Sequence, residues 1–139
     1  LMKIFVNKNL EKIENGCIIH IRGGDFLKLG WNLVNSEDYY KSAIKCRRKK
    51  FSQDKFFVVS DDRRYCESLL EKLHIGYDYI GGDISDDFYL IGSFKYRILS
   101  SSTFALWGSA LGYNIDSVVI APKNWRPYRI RNIKIPNEI

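Results

Sequence analysis

The chain alternates short apolar runs with amphipathic stretches, and this alternation constrains the fold more than any other feature. Five runs have the composition of buried strands, and four stretches between them carry apolar residues at helical spacing. The strand-like runs are Cys17 to Ile21, Phe56 to Val59, Tyr77 to Ile80, Tyr96 to Leu99 and Asp116 to Ala121. Because the connections are short, the pattern is typical of parallel βαβ units and predicts an α/β fold with a doubly wound parallel sheet.

The ends of the predicted helices carry recognisable signals. Ser36 is predicted to cap the first helix, and Ser60 or Asp61 the second, because these side chains accept hydrogen bonds from free backbone N–H groups. The stretch from Leu27 to Asn35 contains Gly and Asn and is predicted to be a loop. The tail from Pro122 to Ile139 is predicted to pack across the domain without regular structure.

Length and composition indicate a single globular domain. The chain has 139 residues, of which 45% are hydrophobic and 27% charged, as in ordinary soluble proteins. No run of eighteen apolar residues is present, and Leu1 to Leu10 lacks the pattern of a signal peptide. Cys17, Cys46 and Cys66 lack metal-site spacing and are predicted to be free thiols in a reducing compartment. The predicted localisation is cytoplasmic, including the cytoplasmic face of a membrane.

The chain is basic, with a net charge of +6, and its densest basic run is Lys45 to Lys50. This run lies where the first helix should end, and cations there complement the helix dipole. The alternative is a weak peripheral attraction to an anionic membrane. The sequence has neither an RNA-binding aromatic motif nor a recognition helix, so nucleic acid is not an expected partner.

Polar and glycine-rich segments follow the predicted strands. They are His20 to Asp25, Ser60 to Asp62, Gly81 to Asp87 and Ser100 to Thr103. A parallel sheet brings such segments together at its carboxyl edge, where open α/β proteins bind ligands. The sequence therefore predicts one ligand site at this edge.

Two of these segments have the chemistry of an anion site. Arg22 offers a planar fork of donors to phosphate or carboxylate, and Gly24 lets the backbone approach a ligand. Ser100 to Phe104 supplies hydroxyl and backbone donors at a helix start, which favours an anion. These groups could hold a diphosphate without a metal. The alternatives are a surface pair between Arg22 and Asp25, and a plain helix cap at Ser102 or Thr103.

Other polar residues at this edge have several interpretations. Asp87 can accept two hydrogen bonds from a purine, or can lie at a helix N-terminus without a ligand. Asp61 and Asp62 can bind ribose hydroxyls or a divalent metal, or can cap a helix. His20 can act as a base, contact a nucleotide, or close a strand as a structural residue. The residues alone leave these alternatives open.

Six ordered blocks between Cys17 and Trp125 resemble the bacterial α-1,2-fucosyltransferases of glycosyltransferase family eleven. In chain order they are His20-Ile-Arg-Gly-Gly-Asp-Phe26, Asp38-Tyr-Tyr-Lys-Ser-Ala-Ile44, Phe56-Phe-Val-Val-Ser-Asp-Asp62, Asp87-Phe-Tyr-Leu90, Ser102-Thr-Phe-Ala-Leu-Trp-Gly108 and Val119-Ile-Ala-Pro-Lys-Asn-Trp125. The resemblance implies a metal-independent enzyme with a glycosyltransferase-B fold, of which this chain is the Rossmann-like nucleotide-binding half. Such enzymes need no cofactor and transfer L-fucose from GDP-fucose to the 2-hydroxyl of a galactoside, with inversion, in surface polysaccharide synthesis.

The resemblance also implies roles for individual residues. Arg22 would hold the diphosphate and so act in catalysis, while His20 and Asp87 would contact guanine. The remaining substrate-binding residues by this resemblance are Gly24, Asp25, Asp61, Asp62, Ser102, Thr103 and Phe104. The family usually has a second Arg at the position of Gly23.

The resemblance further implies a division of the chain. Family members are about twice as long, so residues 1–16 are interpreted as a connector or a remnant of an amino-terminal domain, and residues 17–139 as the domain that binds GDP-fucose. Two other functions are consistent with the sequence. One is a guanine-nucleotide-binding domain without catalysis, and the other is a basic α/β interaction module.

Overall fold

A five-stranded parallel sheet forms the centre of the fold in the computed structural model, which describes residues 11–31, 34–50, 55–112, 114–127, 129–132, 134 and 137–139. Its strands are β1 (Cys17–Ile21), β2 (Phe56–Ser60), β3 (Tyr77–Tyr79), β4 (Tyr96–Ile98) and β5 (Val118–Ile120). All four neighbouring pairs are parallel, in the order β3-β2-β1-β4-β5. The predicted doubly wound sheet is therefore confirmed.

Helices cover the sheet and join its strands. They are α1 (Asp25–Lys28), α2 (Glu37–Lys50), α3 (Arg63–Leu73), α4 (Ile84–Ser93) and α5 (Thr103–Leu111), and residues 11–15 are also helical. The prediction of a loop from Leu27 to Asn35 is wrong at its start, because α1 includes Leu27 and Lys28. The Leu29 N–H donates to the Asp25 carbonyl at 3.1 Å and closes this single turn.

The strand order creates a switch point between β1 and β4. From β1 the chain proceeds outward through β2 and β3, and then returns to the other side of β1 to form β4 and β5. The loops that follow β1 and β4 consequently leave in opposite directions and open a crevice between them, which is the usual ligand position in such sheets.

Side chains of successive β1 residues alternate between two hydrophobic cores. Ile19 and Ile21 pack in the core that contains residues of α2 and α3. Ile18 packs in the core that contains residues of α4 and α5. This alternation follows the two-residue period of a strand, and it puts His20 on the α4 and α5 side.

The N-terminus of α3 is capped by Asp62, for which a helix cap was one of the alternatives, and not by Ser60 or Asp61. The Asp62 carboxylate accepts the Tyr65 N–H at 3.0 Å, whereas Ser60 bonds to the Asp62 backbone. Both carboxylate oxygens of Asp61 instead contact the loop after β1. By contrast, the prediction that Ser36 caps the first helix is confirmed, since its hydroxyl accepts the Tyr39 N–H at 3.2 Å.

The tail contains regular structure, so the prediction of an irregular tail is wrong for part of it. Strand β6 (Asn124–Arg126) pairs antiparallel with β7 (Arg129–Ile130). Further on, the Ile139 N–H donates to the Val119 carbonyl at 2.9 Å, and the Arg131 and Glu138 side chains form an ion pair. These contacts hold the tail against the edge of the sheet beside β5.

Two further predictions concern the three cysteines and the basic run at the end of the first predicted helix. Cys17, Cys46 and Cys66 form no disulfide, as predicted. The basic run ends α2, but Arg47 is buried with its guanidinium 4.0 Å from the centre of the Tyr96 ring. Among the helices described, none has both the length and the apolarity needed to cross a membrane.

Glycines allow α4 and α5 to approach closely. A Cβ atom at Gly112 would lie 2.2 Å from the Gly92 carbonyl oxygen, and one at Gly92 would lie 2.6 Å from the Gly108 oxygen. Backbone atoms cannot move aside as a flexible side chain can, so these positions exclude larger residues.

We expect Gly112→Ala to lower the free energy of unfolding by about 1–3 kcal/mol, because the added methyl group overpacks the α4–α5 contact. Gly76→Ala is the matched control, since a Cβ there meets no heavy atom of the described residues within 4 Å. Urea denaturation of both variants measures the difference. Equal stability of the two variants would contradict the close helix contact.

Candidate active site at the carboxyl edge of the sheet

The loop after β1 is held by the loop after β2. The Arg22 Nη1 atom lies 2.9 Å from Asp61 Oδ2, and the Gly23 N–H donates to Asp61 Oδ1 at 2.8 Å. Asp61 therefore orients the Arg22 side chain and the backbone beside it, rather than capping a helix.

Arg22 lies at the switch point with part of its hydrogen-bonding capacity unused. Its Nη2 donates to Asp25 at 2.6 Å, so the surface pair considered as an alternative is present, and the Asp25 side chain is 60% exposed. The guanidinium also lies 5.1 Å from the centre of the Phe26 ring. Its Nε is buried and has no hydrogen-bond partner within the described part of the chain. The Nη atoms keep further N–H donors beside these carboxylates, and these donors, unlike the buried Nε, can bind an anion.

The two glycines after Arg22 are closely packed. Gly24 has a positive φ of 48°, and a Cβ atom there would lie 2.7 Å from Asp61 Oδ2. A Cβ at Gly23 would lie 2.6 Å from the Asp62 Cβ. An arginine at position 23, as the family usually has, therefore requires the turn after β2 to move.

His20 connects the ends of β1 and β4. Its Nδ1 is 2.6 Å from the Ser100 hydroxyl, and its ring lies 6.0 Å from that of Phe104. Burial, and secondarily the charge of Arg22, lowers the pKa of His20 to about 3. A ring with this pKa is a poor proton acceptor at neutral pH, which disfavours the general-base interpretation and leaves the nucleotide-contact and structural ones.

The lowered pKa of His20 predicts acid lability. Below the ordinary pKa of 6.5, the unfolded chain binds a proton that the folded chain does not accept until about pH 3. This contribution to stability is therefore present above pH 6.5 and is lost as pH falls, by up to about 1.4 kcal/mol per pH unit. Urea unfolding between pH 7 and 4 should show a smaller pH dependence for His20→Asn than for the wild type. Identical slopes would refute the buried neutral imidazole.

The start of α5 offers fewer donors than the sequence predicted. Ser102 caps the helix, the Ser101 N–H donates to Asn35 Oδ1 at 2.6 Å, and the Ser102 N–H donates to the Ser100 carbonyl at 2.9 Å. Within the described residues, the N–H groups of Thr103 and Phe104 have no hydrogen-bond partner. These two amides and the exposed Thr103 hydroxyl are the groups that can bind an anion.

Asn35 is a part of this site that the sequence reasoning missed. It is fully buried, and it fixes the Ser101 backbone from the segment that precedes α2. Nothing in the sequence distinguishes it from a loop asparagine, because its partner is 66 residues away.

Asp87 lies at the start of α4 with one oxygen available. Its Oδ1 accepts the Gly82 N–H at 2.8 Å, and the other oxygen accepts no hydrogen bond from the described residues. Burial raises the pKa of Asp87 above its ordinary value. The adjacent Phe88 ring contacts Phe104 edge to face at 5.3 Å, which joins the starts of α4 and α5. Asp83, and not Asp87, caps α4.

The β6–β7 hairpin adds arginines that were not predicted as site residues. A pocket of about 420 Å³ lies between the hairpin and the first turns of α5, and Thr103, Arg126 and Arg129 contribute to its lining. The Arg126 guanidinium lies 4.6 Å from the centre of the Trp31 ring, which in turn contacts Phe26 at 5.0 Å. This stack connects the hairpin to the loop after β1. The sequence signal was the cluster of arginines in the tail.

The interpretation of Asp61 and Asp62 as metal ligands is not supported by a cluster of ligating side chains in the described residues. In the residues that the structure describes, no three His, Cys, Asp or Glu side chains are grouped so that they could hold a metal ion. Both aspartates instead accept hydrogen bonds from the protein.

Comparison with known proteins agrees with the motif resemblance. The sequence model of "Glycosyl transferase family 11" matches residues 2–134. The chain is also 30% identical over 143 residues to a protein named alpha-1,2-colitosyltransferase from Escherichia coli, an alignment that covers 90% of this chain and 49% of that protein. The chain thus spans about half the length of this curated relative. Together with the six motif blocks and the parallel sheet, the match over residues 2–134 means that this chain belongs to glycosyltransferase family 11.

Proposed function

We propose that the carboxyl edge of the sheet binds a GDP-linked 6-deoxy sugar and that the chain takes part in its transfer to the 2-hydroxyl of a galactoside, with inversion. The observation that carries this proposal is the meeting of unpaired donors at the switch point. The Arg22 guanidinium follows β1 and the free amides of Thr103 and Phe104 follow β4, so these groups border the crevice between the two strands, with the Nη atoms of Arg22 rather than its buried Nε as the donors that a ligand can meet. Donors without partners in this position suit a diphosphate.

The same groups account for the proposed chemistry. Cleavage of the bond between the sugar and the phosphate leaves negative charge on the departing GDP. Arg22, held by Asp61 and Asp25, and the positive end of the α5 dipole would stabilise this charge without a metal. Arg22 is therefore the proposed catalytic residue, and Ser102 supports the site by capping α5.

Asp87 is the proposed guanine-binding residue. Guanine presents two adjacent N–H donors on one edge, and the free Asp87 oxygen can accept from them. Phe104, between His20 and Phe88, supplies an apolar surface for the base. In this arrangement His20 contributes as a neutral ring, since its pKa is low.

The sugar is proposed to be fucosyl or colitosyl. The fucosyl alternative follows from the motif resemblance, and the colitosyl alternative from the name of the relative. The described site would bind the nucleotide part of the donor, so its geometry does not choose between the two sugars. Surface polysaccharide synthesis, cytoplasmic localisation and a peripheral membrane contact through Lys45 to Lys50 remain predictions.

Nucleotide selectivity in Asp87→Asn tests this assignment. The wild type should bind GDP more tightly than ADP or UDP. Asp87→Asn should lose affinity for GDP by about tenfold, the usual magnitude for a charge-assisted hydrogen bond, and should lose little for UDP. Competition against a fluorescent GDP analogue gives all three affinities, and Asp86→Asn, on the same exposed helix start, is the control. Equal losses for GDP and UDP would contradict the guanine assignment.

A second candidate is a domain that binds the nucleotide without transferring the sugar. The observation that favours it is that the groups assigned at this edge, Arg22, Asp87 and the amides at the start of α5, are all assigned to the nucleotide and none to the acceptor. Incubation of a galactoside with GDP-fucose, and in parallel with the colitosyl donor, separates the two candidates, because only the first yields a glycosylated product with either donor. A basic interaction module, the remaining alternative, would bind neither GDP nor GDP-fucose selectively.

A further inference from the structure

The pocket beside α5 has the features of a second ligand site. We name it the hairpin pocket, and it is lined by Thr103, Leu106, Trp107, Arg126, Arg129, Ile130, Arg131 and Asn132. Its volume of about 420 Å³ lies within the range of pockets that bind small ligands. A pocket of this size favours a discrete ligand over a flat membrane surface.

The charge of the lining selects an anion. Among the residues that the structure describes, three arginines and no carboxylate line the hairpin pocket. Arg131 is nearly buried and forms an ion pair with Glu138, so its charge is balanced within the protein. Arg126 packs on Trp31, an interaction that leaves its positive charge unneutralised. Arg129 is exposed and has no ion-pair partner among the described residues. Two cationic side chains are thus available to a ligand.

The rest of the lining suits a ring with apolar faces. The Trp107 side chain is 57% exposed and Ile130 is 64% exposed, although both are large and hydrophobic. An exposed indole beside arginines provides a surface on which the C–H face of a sugar ring can pack while its charged group meets a guanidinium. A simple inorganic anion would leave this apolar surface uncovered.

We propose that the hairpin pocket binds a sugar that carries a carboxylate or a phosphate, as the acidic unit of the acceptor glycan. The proposal rests on the proposed function, because Thr103 belongs both to the donor site at the start of α5 and to the pocket lining. A glycan with its acidic unit in the pocket would therefore extend toward the sugar of the bound donor. Arg129 and Trp107 are the residues that would select the acidic unit.

NMR titration of the full chain tests the proposal, with the indole N–H of Trp107 as reporter and Trp107→Phe to assign its signal. The probes are methyl β-galactoside, the corresponding galacturonoside and the corresponding 6-phosphate. We expect the acidic probes to shift this signal and to bind at least about tenfold more tightly than the neutral galactoside. The two acidic probes separate a carboxylate site from a phosphate site.

Arg129→Gln should bring the affinity of the acidic probes down to that of the neutral galactoside, and Arg126→Gln is a second variant with the same expectation. Arg64→Gln, an exposed arginine on α3, should leave it unchanged. Equal affinity for acidic and neutral sugars would overturn the proposal, as would acidic binding that survives both pocket variants. Binding of the chain to anionic vesicles through Arg129, without any response to the sugars, would also overturn it. A GDP titration of the same wild-type sample tests the donor site separately, so the two proposals can fail independently.

Discussion

Arg22→Ala is expected to weaken GDP binding by about 2–4 kcal/mol, which corresponds to roughly 30-fold to 1,000-fold in Kd. The expectation follows from the position of Arg22 at the switch point, where Asp61 and Asp25 hold its guanidinium and its Nη atoms keep further N–H donors for a phosphate. The alanine variant removes every donor of the fork. Calorimetric titration with GDP measures the loss.

Two further variants make the Arg22 result specific. Arg22→Lys keeps the charge but not the planar fork, so its affinity should fall between those of the wild type and the alanine variant. Arg64→Ala removes an exposed arginine from α3 and should bind GDP as the wild type does. An Arg22→Ala variant that is folded and retains the wild-type Kd would exclude Arg22 from the phosphate site.

Arg97→Met is expected to lower the free energy of unfolding by about 3–5 kcal/mol, the largest effect on stability that we predict. Arg97 is almost fully buried, and its five donors satisfy the carbonyls of Gly92, Phe94, Ser109 and Gly112 and the Ser109 hydroxyl at 2.6–3.0 Å. Burial lowers the pKa of Arg97 to about 10, so it stays charged at neutral pH.

The predicted loss arises because the Arg97 acceptors lie at the ends of α4 and α5. A cation there complements both helix dipoles, and methionine would leave three buried carbonyls and the half-buried Gly112 carbonyl without this donor. Urea denaturation measures the change, with Arg64→Met as the control for the substitution itself. A loss below about 1 kcal/mol would mean that water or a neighbouring residue replaces the guanidinium.

Sequence patterns predicted the strands and helices that are defined by residues close together in the chain. Strands β1 and β2 were found because buried parallel strands are continuous apolar runs, and α3 because Cys66, Leu69, Leu70 and Leu73 repeat at helical spacing. The three shorter strands were found from their aromatic and β-branched residues, although β3 contains Asp78 and β4 contains Arg97. The shared edge of the polar segments followed from the rule that parallel strands end on the same side. The prediction failed at α1, whose single turn has no such repeat, and at the hairpin, whose strands have only three and two residues.

The site was predicted less completely because its contacts are distant in sequence. Asp61 reaches Gly23 across 38 residues, and Asn35 reaches Ser101 across 66. The cap of α3 was left open among Ser60, Asp61 and Asp62, since all three are good caps by composition, and only the fold shows that Asp62 caps the helix while Asp61 bonds to the loop after β1. The arginines of the hairpin pocket were visible in the sequence, but their position beside α5 was not.

The central claim is that the carboxyl edge of this sheet binds a guanosine diphosphate. Calorimetric titration of the chain with GDP, with EDTA present and ADP as the comparison, tests it most directly. We predict saturable binding of GDP that is independent of added metal, because Arg22 and the amides at the start of α5 supply the phosphate donors. Binding should also be tighter than that of ADP, because Asp87 can accept from the N–H edge of guanine. Absence of GDP binding, or equal binding of GDP and ADP, would contradict the claim.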